Sequence, residues 1–84
     1  MPLIAPLIHA NGDSAATLLT ALEAQYDALD AALQVMRRAR PNSRNYTAET
    51  YGPADDQHSA RMRALVEVQD ALAEEIAAIE AQRR

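Results

Sequence analysis

Along the first half of the chain, apolar residues recur at Ala15, Leu19, Leu22, Tyr26, Leu29, Leu33 and Met36, alternately four and three apart. That alternation lines all of them along one stripe of an α-helix, the a/d seam of a heptad repeat. The second half repeats the pattern at Met62, Leu65, Gln69, Leu72, Ile76 and Ile79, with one polar residue, Gln69, inside the stripe. The spacing therefore predicts two long amphipathic helices. Gly12 interrupts whatever precedes it, and Asn11, Asp13 and Ser14 are all good N-caps. Pro41 cannot continue a helix. The first helix is accordingly placed at 13–40, with Arg37, Arg38 and Arg40 complementing the negative end of its dipole. Pro53 suits a first helical position, Gly52 or Thr50 can cap it, and Asp55 and Asp56 favour the first turn. The second helix is placed at 53–82, fraying towards Arg84. At 1.5 Å per residue, each helix would be roughly 40 Å long, so they match as hairpin partners.

The fold expected is all-α: two long antiparallel helices forming a coiled-coil-like hairpin over 13–84, with residues 41–52 as the connection. Residues 1–12 form an arm carrying a near-repeat, Pro2-Leu3-Ile4 and Pro6-Leu7-Ile8, whose prolines bias it towards extended backbone. Two readings of the arm stand: a frayed start, or an apolar segment docked across the hairpin groove or onto a second subunit. The connection is longer than the usual helix–helix link, and long ordered loops are often functional.

A single hairpin seam does not account for all the apolar surface. Leu18, Ala21, Ala28, Ala32, Val35 and Ala39 widen the first stripe; Ala64, Val66, Val68, Ala71, Ala73 and Ala78 widen the second. Alanine can be plain helix filler. It can also line a second interface, most simply in a homodimer whose two hairpins make a four-helix bundle. Gln69 either selects register or oligomer state from within the seam, or reaches water from its edge.

Composition sharpens this picture. The chain has 84 residues, no cysteine, no lysine, no Phe and no Trp, and a net charge of −4. A core built from Leu, Ile, Val and Ala in so short a chain is marginal, and small scaffolds add disulfides, metals or a second subunit. Without cysteine, disulfides and thiolate metal sites are excluded, which leaves self-association. The N-terminal run lacks the charged start and long apolar stretch of a signal peptide. Nor does any stretch approach the roughly 18 apolar residues of a membrane helix. The expected location is cytoplasmic.

Candidate chemistry is sparse. His9 lies in the arm. His58 continues the second seam one heptad before Leu65 and shares a helix face with Asp55, but a metal centre needs three or four converging ligands. A solvated or capping role for His58 is expected instead. Ser59 adjoins His58 in sequence, yet neighbouring helical residues point in different directions. No glycine-rich phosphate loop exists. The carboxylates, Glu23, Asp27, Asp30, Glu67, Asp70, Glu74, Glu75 and Glu80 among them, occupy positions expected to face water. No catalytic residue, metal site or cofactor is assigned, and the chain is read as a non-enzyme.

The candidate site is the loop end. Antiparallel folding brings Arg37, Arg38, Arg40, Arg44, Arg61 and Arg63 towards one end together with Tyr46 and Tyr51. Arginine and tyrosine are enriched at binding hot spots, and arginine recognises phosphate and carboxylate through paired hydrogen bonds. The alternative is that these arginines serve the helix dipole and pair with Glu49, Asp55 and Asp56 while the tyrosines pack the loop. Net acidity and the absence of a known DNA-binding motif weigh against nucleic acid as the partner.

The segment Pro41-Asn42-Ser43-Arg44-Asn45-Tyr46, followed by a helix containing His58, Arg61 and Leu65, resembles small uncharacterised helical-hairpin proteins of bacterial phages and prophages. In those, a Pro-Asn-x-Arg-Asp-Tyr-Tyr loop joins two Ala/Leu/Arg-rich helices. The likeness covers about a quarter of the chain; Asn45 stands where the aspartate would be, and Thr47 where the second tyrosine would be. It implies a phage accessory or assembly role, in host cytoplasm or virion, with no catalytic activity. It also draws attention to Arg44 and Tyr46, as an arginine paired with an acid and a tyrosine capping the bundle. The functional expectation is thus a protein–protein interaction or assembly protein, with a nucleic-acid-binding accessory protein as the alternative.

Overall fold

A computed structural model of the chain describes residues 3–8 and 12–83; Pro2, His9, Asn11 and Arg84 lie outside them. The described residues hold two long helices and no strand: α1, Ala15–Arg38, and α2, Tyr51–Gln82, joined through a short 3-10 turn at Ser43–Asn45. The helices pack antiparallel as a hairpin, in a molecule measuring 60 × 23 × 19 Å.

Both starts have an identifiable chemical cause. Ser14 caps α1, its Oγ accepting the Thr17 amide at 3.1 Å. At α2 the cause lies upstream of the expected start. The Thr47 amide donates to Thr50 Oγ1 at 3.0 Å, and the Thr50 amide donates back to Thr47 Oγ1 at 3.2 Å. This is the reciprocal arrangement of a capping box, in which side chains satisfy amides that have no helical partner. The turn it closes feeds directly into the helix, since the Tyr51 amide donates to the Thr47 carbonyl at 3.0 Å and the Ala54 amide to that of Thr50 at 3.0 Å. The second helix therefore begins at Tyr51 rather than at Pro53, and Pro53 falls within its first turn, where its missing N–H costs little.

The first helix likewise ends before the expected Arg40. Pro41 crowds the backbone of the residue before it and disfavours the α conformation there. The helix closes at Arg38, with the Ala39 amide donating to Val35 and Met36, and Arg40 leaves it. The helices are thus unequal, 24 and 32 residues rather than matched, and α2 reaches past α1 at both ends.

The expected seam forms the core. Leu19, Leu22, Leu33 and Ile79 are buried, and so is Gln69. Leu29, Met36, Met62, Leu65, Leu72 and Ile76 are half-buried along the same line. Tyr26 is the departure: it stays exposed at the edge of the seam. Opposite it, the Gln69 amide occupies the interior and donates from Nε2 to the Tyr26 carbonyl at 3.3 Å. Gln69 is therefore an internal register pin rather than a residue reaching water. Among the described residues of the arm, Pro6 and Ile8 dock on the hairpin. The Gln82 side-chain amide grips them from both sides, accepting from the Ile8 amide at 2.8 Å and donating to the Pro6 carbonyl at 2.9 Å. Ile8 packs against the cluster of Leu19, Leu22 and Ile79, while Leu3, Ile4 and Leu7 remain exposed. No helix among the described residues is long and apolar enough to cross a membrane.

Candidate partner-binding end of the hairpin

Where α1 gives way to the loop, three polar contacts fix the geometry. Asn42 turns the chain after Pro41, its Oδ1 accepting the Arg44 amide at 3.0 Å. Arg40 reaches from the end of α1 to the start of α2, where its guanidinium contacts both carboxylate oxygens of Asp55, at 3.0 and 3.3 Å. His58, 8 % exposed, donates from Nε2 to the Met36 carbonyl at 2.8 Å. Of the two roles expected for His58, the structure selects the cap: the imidazole of α2 adds a second donor to a carbonyl in the last turn of α1 that otherwise shares the Ala39 amide with Val35. Asp55 and His58 share a helix face as expected, but Asp55 is committed to Arg40 in the connection and His58 to Met36 of α1.

The six arginines are not equivalent. Arg40 pairs with Asp55; Arg37, Arg38, Arg44, Arg61 and Arg63 are exposed. The arginine paired with an acid is therefore Arg40, not Arg44. Arg44 rides on the 3-10 turn with its side chain in solvent, because the Asn42 cap acts on its amide only. Arg61 and Arg63 lie six and eight residues beyond Asp55, on the order of 10 Å along α2, so they flank the end rather than crown it. Their heptad positions also separate them. Arg63 turns towards the side of the hairpin that carries Arg37, and Arg61 towards the opposite side. Tyr46 and Tyr51 do come together, with ring centroids 6.3 Å apart and a tilt of 56°. Tyr51 is half-buried and Tyr46 exposed, so Tyr46 leans on Tyr51 and does not cap the bundle.

The charge is strongly segregated. Between residues 37 and 63, six arginines stand against Glu49, Asp55 and Asp56, for a net +3; the rest of the chain carries −7. The end can therefore attract an anionic surface even though the whole molecule is acidic. The Thr47–Thr50 box was not among the expected site residues. Its sequence signal is the pair of threonines three apart just ahead of the helix, where a capping box usually carries Glu or Gln at the second position.

A shallow groove of about 260 Å³ lies along one side of the hairpin, lined by Glu23, Tyr26, Asp27, Ala73 and Ile76. Among the described residues, no group of three His, Asp or Glu side chains is placed to hold a metal ion, and no buried side-chain nitrogen or oxygen lacks a hydrogen-bond partner. No protein-family model, curated protein or solved structure matches the chain.

Proposed function

We propose that the chain is a non-enzymatic interaction and assembly protein that self-associates as a dimer and offers its arginine–tyrosine end to a protein partner. The observation that carries this reading is the surface left uncovered. The chain exposes 6243 Å². A compact protein of its 9.2 kDa would expose about 4,900 Å². The excess, about 1,300 Å² per chain, is more than the roughly 800 Å² that one side of a standard interface covers. The radius of gyration agrees: 18.0 Å, against about 12 Å for a compact chain of this length. Pairing two such hairpins into a four-helix bundle would cover that surface. A phage accessory or assembly role, in host cytoplasm or virion, follows only from the resemblance of the Pro41–Tyr46 loop.

The side chains that could do chemistry support a structural role, since Asp55 holds Arg40 of the connection and His58 joins α2 to α1. Light scattering across a dilution series tests the reading. A mass of two chains that falls towards one on dilution is expected; a folded single chain at every concentration overturns it.

The segregated positive charge favours a second reading, a nucleic-acid-binding accessory protein. Phosphate contacts would make such binding fall steeply with salt. Arg38→Glu and Arg44→Glu, both at exposed positions, would abolish it while leaving the helical circular dichroism unchanged. Binding that is indifferent to salt and to both substitutions would end that reading.

A further inference from the structure

The two sides of the hairpin differ in chemistry. In an antiparallel pair, residues flanking one edge of the seam on α1 share a side with those flanking the corresponding edge on α2. Two observations assign the sides. Glu23, Asp27 and Ala73 line one groove together, so they lie on one side. Gln82 holds the Ile8 amide from the opposite flank of the α2 seam to Ala73, and helical rotation puts Leu18 on the opposite flank of the α1 seam to Glu23, so Leu18 and Gln82 lie on the other. The first side is net acidic: it carries Glu23, Asp27, Asp30 and Asp70, with Val66 among them and Arg37 and Arg63 towards the loop end. The second side carries, on α1, Leu18, Ala21, Gln25, Ala28, Ala32 and Val35, again alternately three and four apart. On α2 it carries Arg61, Ala64, Val68, Ala71 and Glu75 at the same alternation. Val35 and Val68 are 55 % and 49 % exposed, and of this second seam only Leu18 and Glu75 are half-buried, so most of it is uncovered in the single chain.

The second seam is also its own complement. The bonds from Gln69 to Tyr26 and from His58 to Met36 fix which residues of α1 and α2 stand level. They set Val68 level with the midpoint between Tyr26 and Asp27. About that level, Leu18 mirrors Val35, Ala21 mirrors Ala32, and Gln25 mirrors Ala28. On α2, Arg61 mirrors Glu75 about Val68. A two-fold axis lying in the face and crossing both helices at this level would therefore set Leu18 against Val35 and Ala21 against Ala32, with Gln25 beside Ala28 near the axis. It would also set each positive charge against a negative one, and the small residues would let the helices approach closely.

We infer that this face binds a second copy of the chain about such an axis, with α1 antiparallel to its counterpart, α2 antiparallel to its counterpart, Val68 meeting Val68, and Arg61 of each copy paired with Glu75 of the other. The inference rests on the proposed self-association and names its surface. Two features favour a second copy over a different protein: the mirror pattern about Val68, and the placement of Arg61 and Glu75 at mirrored positions, where each copy supplies the other's counter-charge.

The native absence of cysteine allows a direct test. Val68→Cys places two thiols at the axis, where mild oxidation should link the chains. Asp27→Cys on the acidic side is the control and should stay unlinked. Arg61→Glu and Glu75→Arg should each weaken the dimer about tenfold by light scattering, and the double variant should recover it. Circular dichroism checks that each variant remains helical. A dimer that ignores the charge reversals and links through Asp27→Cys rather than Val68→Cys overturns this face while leaving self-association standing. A wild-type chain that stays single at all concentrations removes both.

Discussion

The two ends of the hairpin are held by different forces. At the open end, Leu19, Leu22 and Ile79 form an apolar cluster to which Ile8 of the arm adds itself. Stability there comes from area removed from water and depends on volume and fit. Towards the loop, Leu33 is the last fully buried apolar side chain of the seam; beyond it the seam passes to His58, and the turn is held by Arg40, Asp55, Thr47 and Thr50. Stability at that end depends on direction: particular carbonyls and amides need particular donors and acceptors. An end held by fit tolerates a change of one aliphatic side chain for another of similar volume. An end held by directed bonds does not, because an unmade bond leaves a polar group stranded.

Substitutions can break this contrast in a graded way. The largest effect is expected from Ile79→Ala. Ile79 is fully buried at the centre of the apolar cluster, and removing its methyl groups should cost about 2–5 kcal/mol in urea unfolding. Ile79→Leu, by comparison, should cost under about 1.5 kcal/mol. Next comes His58→Ala, expected to cost about 1–3 kcal/mol through the lost bond to the Met36 carbonyl and the space left behind. The sharper test is His58→Leu. If the loop end depended on bulk alone, leucine would restore most of the loss; a persistent deficit is what a directed bond requires. The smallest effect should follow Thr47→Ala, about 1 kcal/mol, seen as a lower midpoint with the same helical signal. If that change costs as much as Ile79→Ala, the assignment of the loop end to a set of small, separate bonds is wrong.

The same contrast explains what could be read from the chain before its structure. Leu19, Leu22, Leu33 and Ile79 are where the heptad spacing puts them, because burial follows periodicity and periodicity is written locally. His58 is legible as a seam position, but not as the donor to Met36, since its partner is a backbone carbonyl 22 residues away that no side-chain pattern reveals. The Thr47–Thr50 box lies in a stretch rich in turn formers, where Pro53 is the louder signal and draws the helix start towards itself. The clamp of Gln82 on the arm joins residues 74 and 76 positions apart. It obeys no period, and Gln82 in isolation looks like a fraying terminus. In the candidate site, sequence reasoning located the arginine-rich end but not its internal divisions, with Arg40 committed to Asp55 and Arg61 set apart from Arg63 by helical rotation.

The bonds between the halves of the chain form a ladder in sequence as well as in space. Arg40 to Asp55 spans 15 residues, Met36 to His58 spans 22, Tyr26 to Gln69 spans 43, and Pro6 to Gln82 spans 76. Each rung, once made, shortens the loop that the next must close, and loop closure is the entropic obstacle to non-local contact. Folding can therefore proceed as a zipper from the turn outwards, each step a small search rather than one large one, which is the condition for a fast, low-contact-order folder. Unfolding reverses the order. In a zipper of this kind the arm, joined by the longest loop, is the first rung to release, and the short rungs at the turn keep the helices in register for reclosure.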